Sequence, residues 1–119
     1  MTDNRKKGSF HETIAIEYLK KKGHRIIARN ELNKFGEIDI ISVSPDGKLV
    51  FTEVKYRKSA KRGYPLEAVT PEKQRRISRA SAYYLNSHRE YLNHQIRYDC
   101  IGIIGDEIKH IENAFYYVG

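Results

Sequence analysis

Only one cysteine, Cys100, occurs in the 119 residues, so no internal disulfide can form. Its place in an apolar stretch assigns it to packing rather than to catalysis. No run approaches the roughly 18 consecutive apolar residues that a membrane-spanning helix needs. The opening stretch, Met1-Thr2-Asp3-Asn4-Arg5-Lys6-Lys7, lacks the apolar core of a signal peptide. The expectation is a soluble, cytoplasmic chain with no membrane partner. The histidines, His11, His24, His88, His94 and His110, show no ligand spacing joined to cysteine or carboxylate, and no phosphate-binding glycine motif is present. Zinc chemistry and nucleotide hydrolysis are therefore not expected.

Positive charge is abundant and localised. The chain carries 22 basic and 15 acidic residues, a net charge of +7. Between Lys55 and Arg79 lie nine basic residues, Lys55, Arg57, Lys58, Lys61, Arg62, Lys73, Arg75, Arg76 and Arg79, against Glu67 and Glu72. The remainder balances at 13 basic against 13 acidic. A field concentrated in this way would attract a polyanion, and nucleic acid is the foremost candidate. The plainer alternative is a solvated face that keeps the protein in solution.

A chain of this length and composition suits one domain spanning residues 1–119. Ser9 followed by Glu12 forms a capping box, and Phe10, Ile14, Ala15, Tyr18 and Leu19 recur at helical spacing up to Gly23. A short strand at Ile26-Ile27-Ala28 is expected next, then a polar break from Asn30 to Gly36 and a second strand from Ile38 to Val43. Ser44-Pro45-Asp46-Gly47 makes a hairpin turn into a third strand, Leu49 to Arg57. Residues 58–69 read as a mobile basic loop. Thr70-Pro71 then opens a second helix, whose stripe of Ile77, Ala80, Tyr84 and Leu85 runs to about Ser87. A strand from Ile96 to Ile104, a Gly105-Asp106 turn and a short strand from Ile108 to Ile111 complete the order. This is an α/β chain, a small mixed β-sheet flanked by helices.

The hairpin fixes a register. If Pro45-Asp46-Gly47 is the loop and Ser44 pairs with Lys48, counting back places Ile41 opposite Phe51 and Asp39 opposite Glu53. The two carboxylates then have Cβ atoms about 5 Å apart, an arrangement that opposes folding unless a cation or a shared proton neutralises it. Oxygen ligands of this kind suit magnesium or manganese. Lys55 returns to the same face, about 7 Å along the strand from Glu53, where an ammonium could hold water or stabilise charge on a phosphate. It could equally form a cross-strand ion pair with Glu37, which this register puts opposite it. Glu12 either completes the capping box or points inward from the apolar arc toward the same site. On the second helix, Arg75, Arg76 and Arg79 share one flank suited to phosphate, while Lys73 and Gln74 turn toward the apolar stripe.

The strings Gly36-Glu37-Ile38-Asp39-Ile40-Ile41 and Phe51-Thr52-Glu53-Val54-Lys55-Tyr56-Arg57 resemble the PD-(D/E)XK nuclease superfamily. More closely, the chain resembles the YraN-like family within it, through the Gly8–Leu19 helix, Lys73-Gln74-Arg75-Arg76 and Ile96-Arg97-Tyr98-Asp99. Ile38 stands where the superfamily has proline. The resemblance implies a restriction-endonuclease-like αβββαβ core. It also implies magnesium held by Asp39, Glu53 and the Val54 carbonyl, Lys55 activating water, and Glu12 matching a helix glutamate. DNA phosphodiester hydrolysis, with repair or recombination intermediates as candidate substrates, would follow, with Arg57, Lys58, Lys61, Arg62, Lys73, Gln74, Arg75, Arg76 and Arg79 holding the nucleic acid. A homodimer would supply two sites for two strands. The competing expectation is a binding protein that uses the same fold without cutting.

Overall fold

The computed structural model describes residues 4–59 and 69–118, with side chains from Phe10 onward. Helix α1 covers Asn4–Lys21, and three strands follow: β1 (Arg25–Asn33), β2 (Gly36–Val43) and β3 (Leu49–Arg57). Helix α2 (Pro71–Ser87) leads through a single 3₁₀ turn at Arg89–Tyr91 to β4 (Ile96–Ile104) and β5 (Glu107–Phe115). The strands lie side by side in the order β1-β2-β3-β4-β5. All neighbours are antiparallel except β3 and β4, which run parallel from Leu49↔Ile96 to Arg57↔Ile104. A parallel pair needs a crossover, and α2 makes it. The expected α/β class and αβββαβ order are both present, extended by β5.

The helices sit on opposite faces, as strand alternation requires. Ala15, Ile16 and Leu19 of α1 pack on Ile40, Ile101 and Ile103, while Ile77, Ala80 and Tyr84 of α2 pack with Ile41, Leu49, Phe51 and Tyr98. Helix α1 stops where glycine allows. Gly23 takes φ +92°, its N–H bonds the Lys20 carbonyl at 2.9 Å, and His24 N–H bonds that of Leu19 at 3.0 Å, a paired C-terminal cap. Helix α2 starts as expected, with Thr70 Oγ1 accepting the Lys73 N–H at 3.2 Å and proline at the first position. No helix among the described residues is long and apolar enough to cross a membrane.

Three boundaries differ from expectation. Helix α1 begins at Asn4 rather than after Ser9, so Ser9 lies within the helix and Glu12 does not complete a capping box. The polar break from Asn30 to Gly36 is mostly strand, closed by a tight Lys34-Phe35 turn. As β1 is an edge strand, half-exposed along most of its length, asparagine and glutamate there cost little. The last strand continues past Ile111 to Phe115 because Asn113 adopts φ +54° at an irregularity and returns Phe115 to the core, its ring stacked 4.9 Å from that of Tyr98. Most of the basic loop, with Lys61 and Arg62, lies outside the described residues.

Candidate active site

The hairpin register is the one the turn implies. Ser44 N–H bonds the Lys48 carbonyl at 2.9 Å, and Val43↔Leu49, Ile41↔Phe51 and Ile40↔Thr52 pair. Pairing stops there. Continued alternation would give the Val54 N–H to the Ile38 carbonyl, but Asp39 Oδ2 accepts it at 2.8 Å instead. A side chain has replaced a ladder carbonyl, and β2 parts from β3 at the position where the acidic groups collect.

Asp39 and Glu53 are brought together, with their carboxyls in hydrogen-bonding contact. Burial, together with the Glu53 charge, pushes the Asp39 carboxyl up to about 9. At neutral pH, without a cation, it therefore holds a proton. Glu12 is 7% exposed and enters the opening from α1. Its Oε1 is buried with no hydrogen-bond partner. Burial and the neighbouring Glu37 raise its carboxyl too, while Asn30 and Asp39 bond to it. Of the two readings of Glu12, the inward-facing one describes its position.

Glu37 does not pair with Lys55. With the ladder ended at Ile40, residues 37 and 55 are no longer opposite, and Glu37 instead joins Glu12 and Asp39. One carboxylate oxygen from each of these three lies within 4.8 Å of the others. Glu53 gathers the lysines of the site. Its Oε1 accepts from Lys55 Nζ at 3.2 Å and from Lys73 Nζ at 3.1 Å, the second reaching across from the first turn of α2. Three carboxylates with an orphaned buried oxygen, facing a fourth that holds two ammonium groups, fit a hard divalent cation better than they fit each other.

The remaining basic candidates divide. Arg75, Arg76 and Arg79 are exposed on α2, as the helical count implies, and Lys58 is exposed after β3. Arg57 turns back, donating from Nη1 to the Tyr56 carbonyl at 3.0 Å. Gln74 donates to the Val69 carbonyl at 3.1 Å, a bond that ties the start of α2 to the segment before it. Sequence reasoning missed Glu37 as a member of the acidic group and Asn30 altogether. Asn30 has φ +51°, a left-handed conformation that asparagine tolerates, in a strand position facing the site. Cys100 is 1% exposed, and burial beside Glu53 pushes its thiol up to about 12, which leaves almost no thiolate for chemistry.

The family model described as "Uncharacterised protein family UPF0102" matches residues 11–103. The chain belongs to this family. Among UPF0102 relatives, a protein of Lachnoclostridium phytofermentans is 44% identical over 108 residues, covering 91% of each chain. One from Fusobacterium nucleatum is 41% identical over 114 residues, covering 96% of this chain and 94% of the relative. The UPF0102 match runs from the turn of α1 that carries Glu12 into β4, ending at residue 103, so it contains Glu12, Glu37, Asp39, Glu53, Lys55 and Lys73. Among solved structures, a repair endonuclease from Pyrococcus abyssi overlaps 86% of this chain at 17% identity and TM-score 0.41. An EndoMS–dsDNA complex overlaps 71% at 18% identity and TM-score 0.37. The chain spans 38% of the first structure and 32% of the second, and neither overlap transfers a function to it.

Proposed function

We propose that this UPF0102 protein is a metal-dependent nuclease that hydrolyses DNA phosphodiester bonds. The observation that carries the reading is the convergence of Glu12, Glu37, Asp39 and Glu53 with Lys55 and Lys73 where β2 parts from β3. A fold seldom retains four carboxylates in one half-buried opening for stability, because like charges there oppose folding. Asp39, which touches both the Glu12–Glu37 side and the Glu53 side, would be the central ligand of such a metal. Magnesium or manganese, when bound, would supply a Lewis acid for a phosphoryl oxygen and lower the pKa of a bound water.

The chain's own groups do the rest. Val54 N–H holds one Asp39 oxygen and so fixes the orientation of the carboxylate. Lys55 and Lys73, both on Glu53 Oε1, sit where an ammonium can hold the attacking water or take up negative charge developing on the phosphate. Glu53 is freed to serve as a ligand or a base when both lysines exchange its Oε1 for phosphate oxygens. Arg75, Arg76 and Arg79 line the approach along α2 and would contact the backbone without reading sequence.

The test is cleavage of single-stranded, duplex, flapped and four-way DNA with magnesium or manganese, comparing wild type with Glu53→Ala and Lys55→Ala. Both variants should lose at least about 100-fold in rate, the scale on which a positioned acid, base or charge stabiliser acts. Equal cleavage by wild type and both variants would overturn the assignment.

A further inference from the structure

Outside the acidic site, the tip of the β1–β2 hairpin presents an exposed aromatic surface. The Phe35 and Tyr83 rings lie 5.9 Å apart at 62°, and Lys34 Nζ stands 5.2 Å from the first centroid and 5.7 Å from the second. Phe35 is 36% exposed and Tyr83 41%, with Leu32 more exposed still. Rings left this open are common on binding surfaces.

The tip is held firmly. Asn33 Nδ2 donates to the Ala80 carbonyl of α2 at 3.1 Å, and Asn33 Oδ1 accepts the Phe35 N–H at 3.0 Å. Gly36, at φ +145°, lies so near Arg76 that a Cβ would meet the arginine Cδ at 2.9 Å. A side chain there would have to displace Arg76 and adopt a φ that L residues rarely take. At 100° per residue, Tyr83 falls within the arc that Arg76 and Arg79 span, so the rings end the exposed basic flank of α2. Phe35, in the turn, is two residues from Glu37, so at most about 7 Å of backbone separates the platform from the acidic site.

We propose that Lys34, Phe35 and Tyr83 form a stacking platform for an unpaired nucleobase in a single-stranded DNA segment next to the acidic site. Bases in a duplex are already stacked on their neighbours. An exposed ring therefore gains most from a base that is not, and the gain is largely independent of sequence. The surrounding charge points to a polyanion, since an apolar protein partner would leave Lys34, Arg76 and Arg79 without counter-charge. The platform rests on the nuclease reading for its place beside a scissile phosphate, but not for binding itself.

The test uses the full chain in EDTA, so that no cleavage is required. An oligonucleotide carrying a fluorescent adenine analogue that is quenched by stacking is titrated as a single strand and as a duplex. Wild type should prefer and quench the single strand. Phe35→Ala should weaken single-strand binding by about 5- to 150-fold, the range seen when one base–aromatic stack is removed, with much less effect on duplex. Phe35→Leu keeps apolar bulk and should fail equally, whereas Phe35→Trp should restore binding. Wild-type affinity in Phe35→Leu, equal losses on both DNAs, or self-association abolished by Phe35→Ala would each overturn the proposal. Stacking by a wild type that never cuts would contradict the nuclease reading alone, and intact cleavage without stacking would contradict the platform alone.

Discussion

Two of the buried polar clusters among the described residues hold carboxylates, and they solve the same problem in opposite ways. On the α1 face of the sheet, Asp99 of β4 is fully buried, yet it accepts Arg97 Nε at 2.9 Å, Arg97 Nη2 at 3.0 Å, His110 Nε2 at 2.7 Å and the Asn113 N–H at 3.2 Å. Burial alone would raise its carboxyl, but the bonds from His110 and Arg97 outweigh burial and hold it below the ordinary range. His110 passes on to the Tyr18 hydroxyl at 3.2 Å, and His24 meets Ser42 Oγ at 2.9 Å. The acidic opening has no such closure. Asp39 is raised, and Glu12 Oε1 has no partner. A buried charge that is fully answered is structural, and one left unanswered marks where something else must bind.

Mutation should break the symmetry most sharply. Asp99→Ala leaves the buried Arg97 without its bidentate partner, with the exposed Glu112 at 3.5 Å as the remaining ion pair among the described residues, and should cost about 3–5 kcal/mol. Asp39→Asn removes the cost of keeping a buried carboxyl protonated at neutral pH and should leave the metal-free protein at least as stable, while lowering cleavage by 100-fold or more. Urea melts of both variants beside a cleavage assay check the pair. Similar stability losses in the two would erase the distinction.

The clusters should also answer pH with opposite signs. The Asp39 carboxyl lies near 9 when folded against an ordinary 3.8. Across that interval the folded protein keeps a proton that the unfolded chain has lost, so its contribution is full below about pH 4 and disappears as pH rises to about 9. Asp99, lowered by folding, contributes above the ordinary carboxylate range and loses that contribution as pH falls through its folded pKa. Melts of metal-free protein from pH 5 to 9 should show declining stability, and Asp39→Asn should flatten the decline. Saturating manganese should stabilise wild type more at pH 8 than at pH 6, since the cation displaces the Asp39 proton.

Smaller effects sharpen the picture. Neutralising Arg75, Arg76 and Arg79 together should weaken duplex binding and reduce the salt slope by up to about 3, with little change in stability. An unchanged slope in a salt titration would remove the α2 flank from the DNA path. Thr70→Ala should cost about 1 kcal/mol in a thermal melt through loss of the helix cap.

The residues that make the site were visible in the sequence because a hairpin turn sets a register, and Pro45-Asp46-Gly47 sets this one without ambiguity. Alternation from that turn predicts Asp39 near Glu53 and Lys55 on the same face; Asp39 does meet Glu53, but beyond the last ladder pair, Ile40↔Thr52. Glu37 was misplaced because alternation assumes that a ladder continues. The Asp39 side chain ended it by taking the Val54 N–H, and no local propensity encodes that exchange. Asn30 was hidden for a related reason, since a single left-handed residue in an edge strand carries no periodic signal. Lys73 was legible as an inward-facing lysine of α2, but its meeting with Glu53 is a tertiary fact, set by how α2 crosses between β3 and β4.

The acidic opening is best tested by titrating manganese into the metal-free chain at pH 7.5 in a calorimeter, using two buffers of different ionisation enthalpy. Saturable binding with release of a proton, lost in Asp39→Asn, is the expected result. Absence of saturable binding, or equal binding by wild type and Asp39→Asn, would contradict the account.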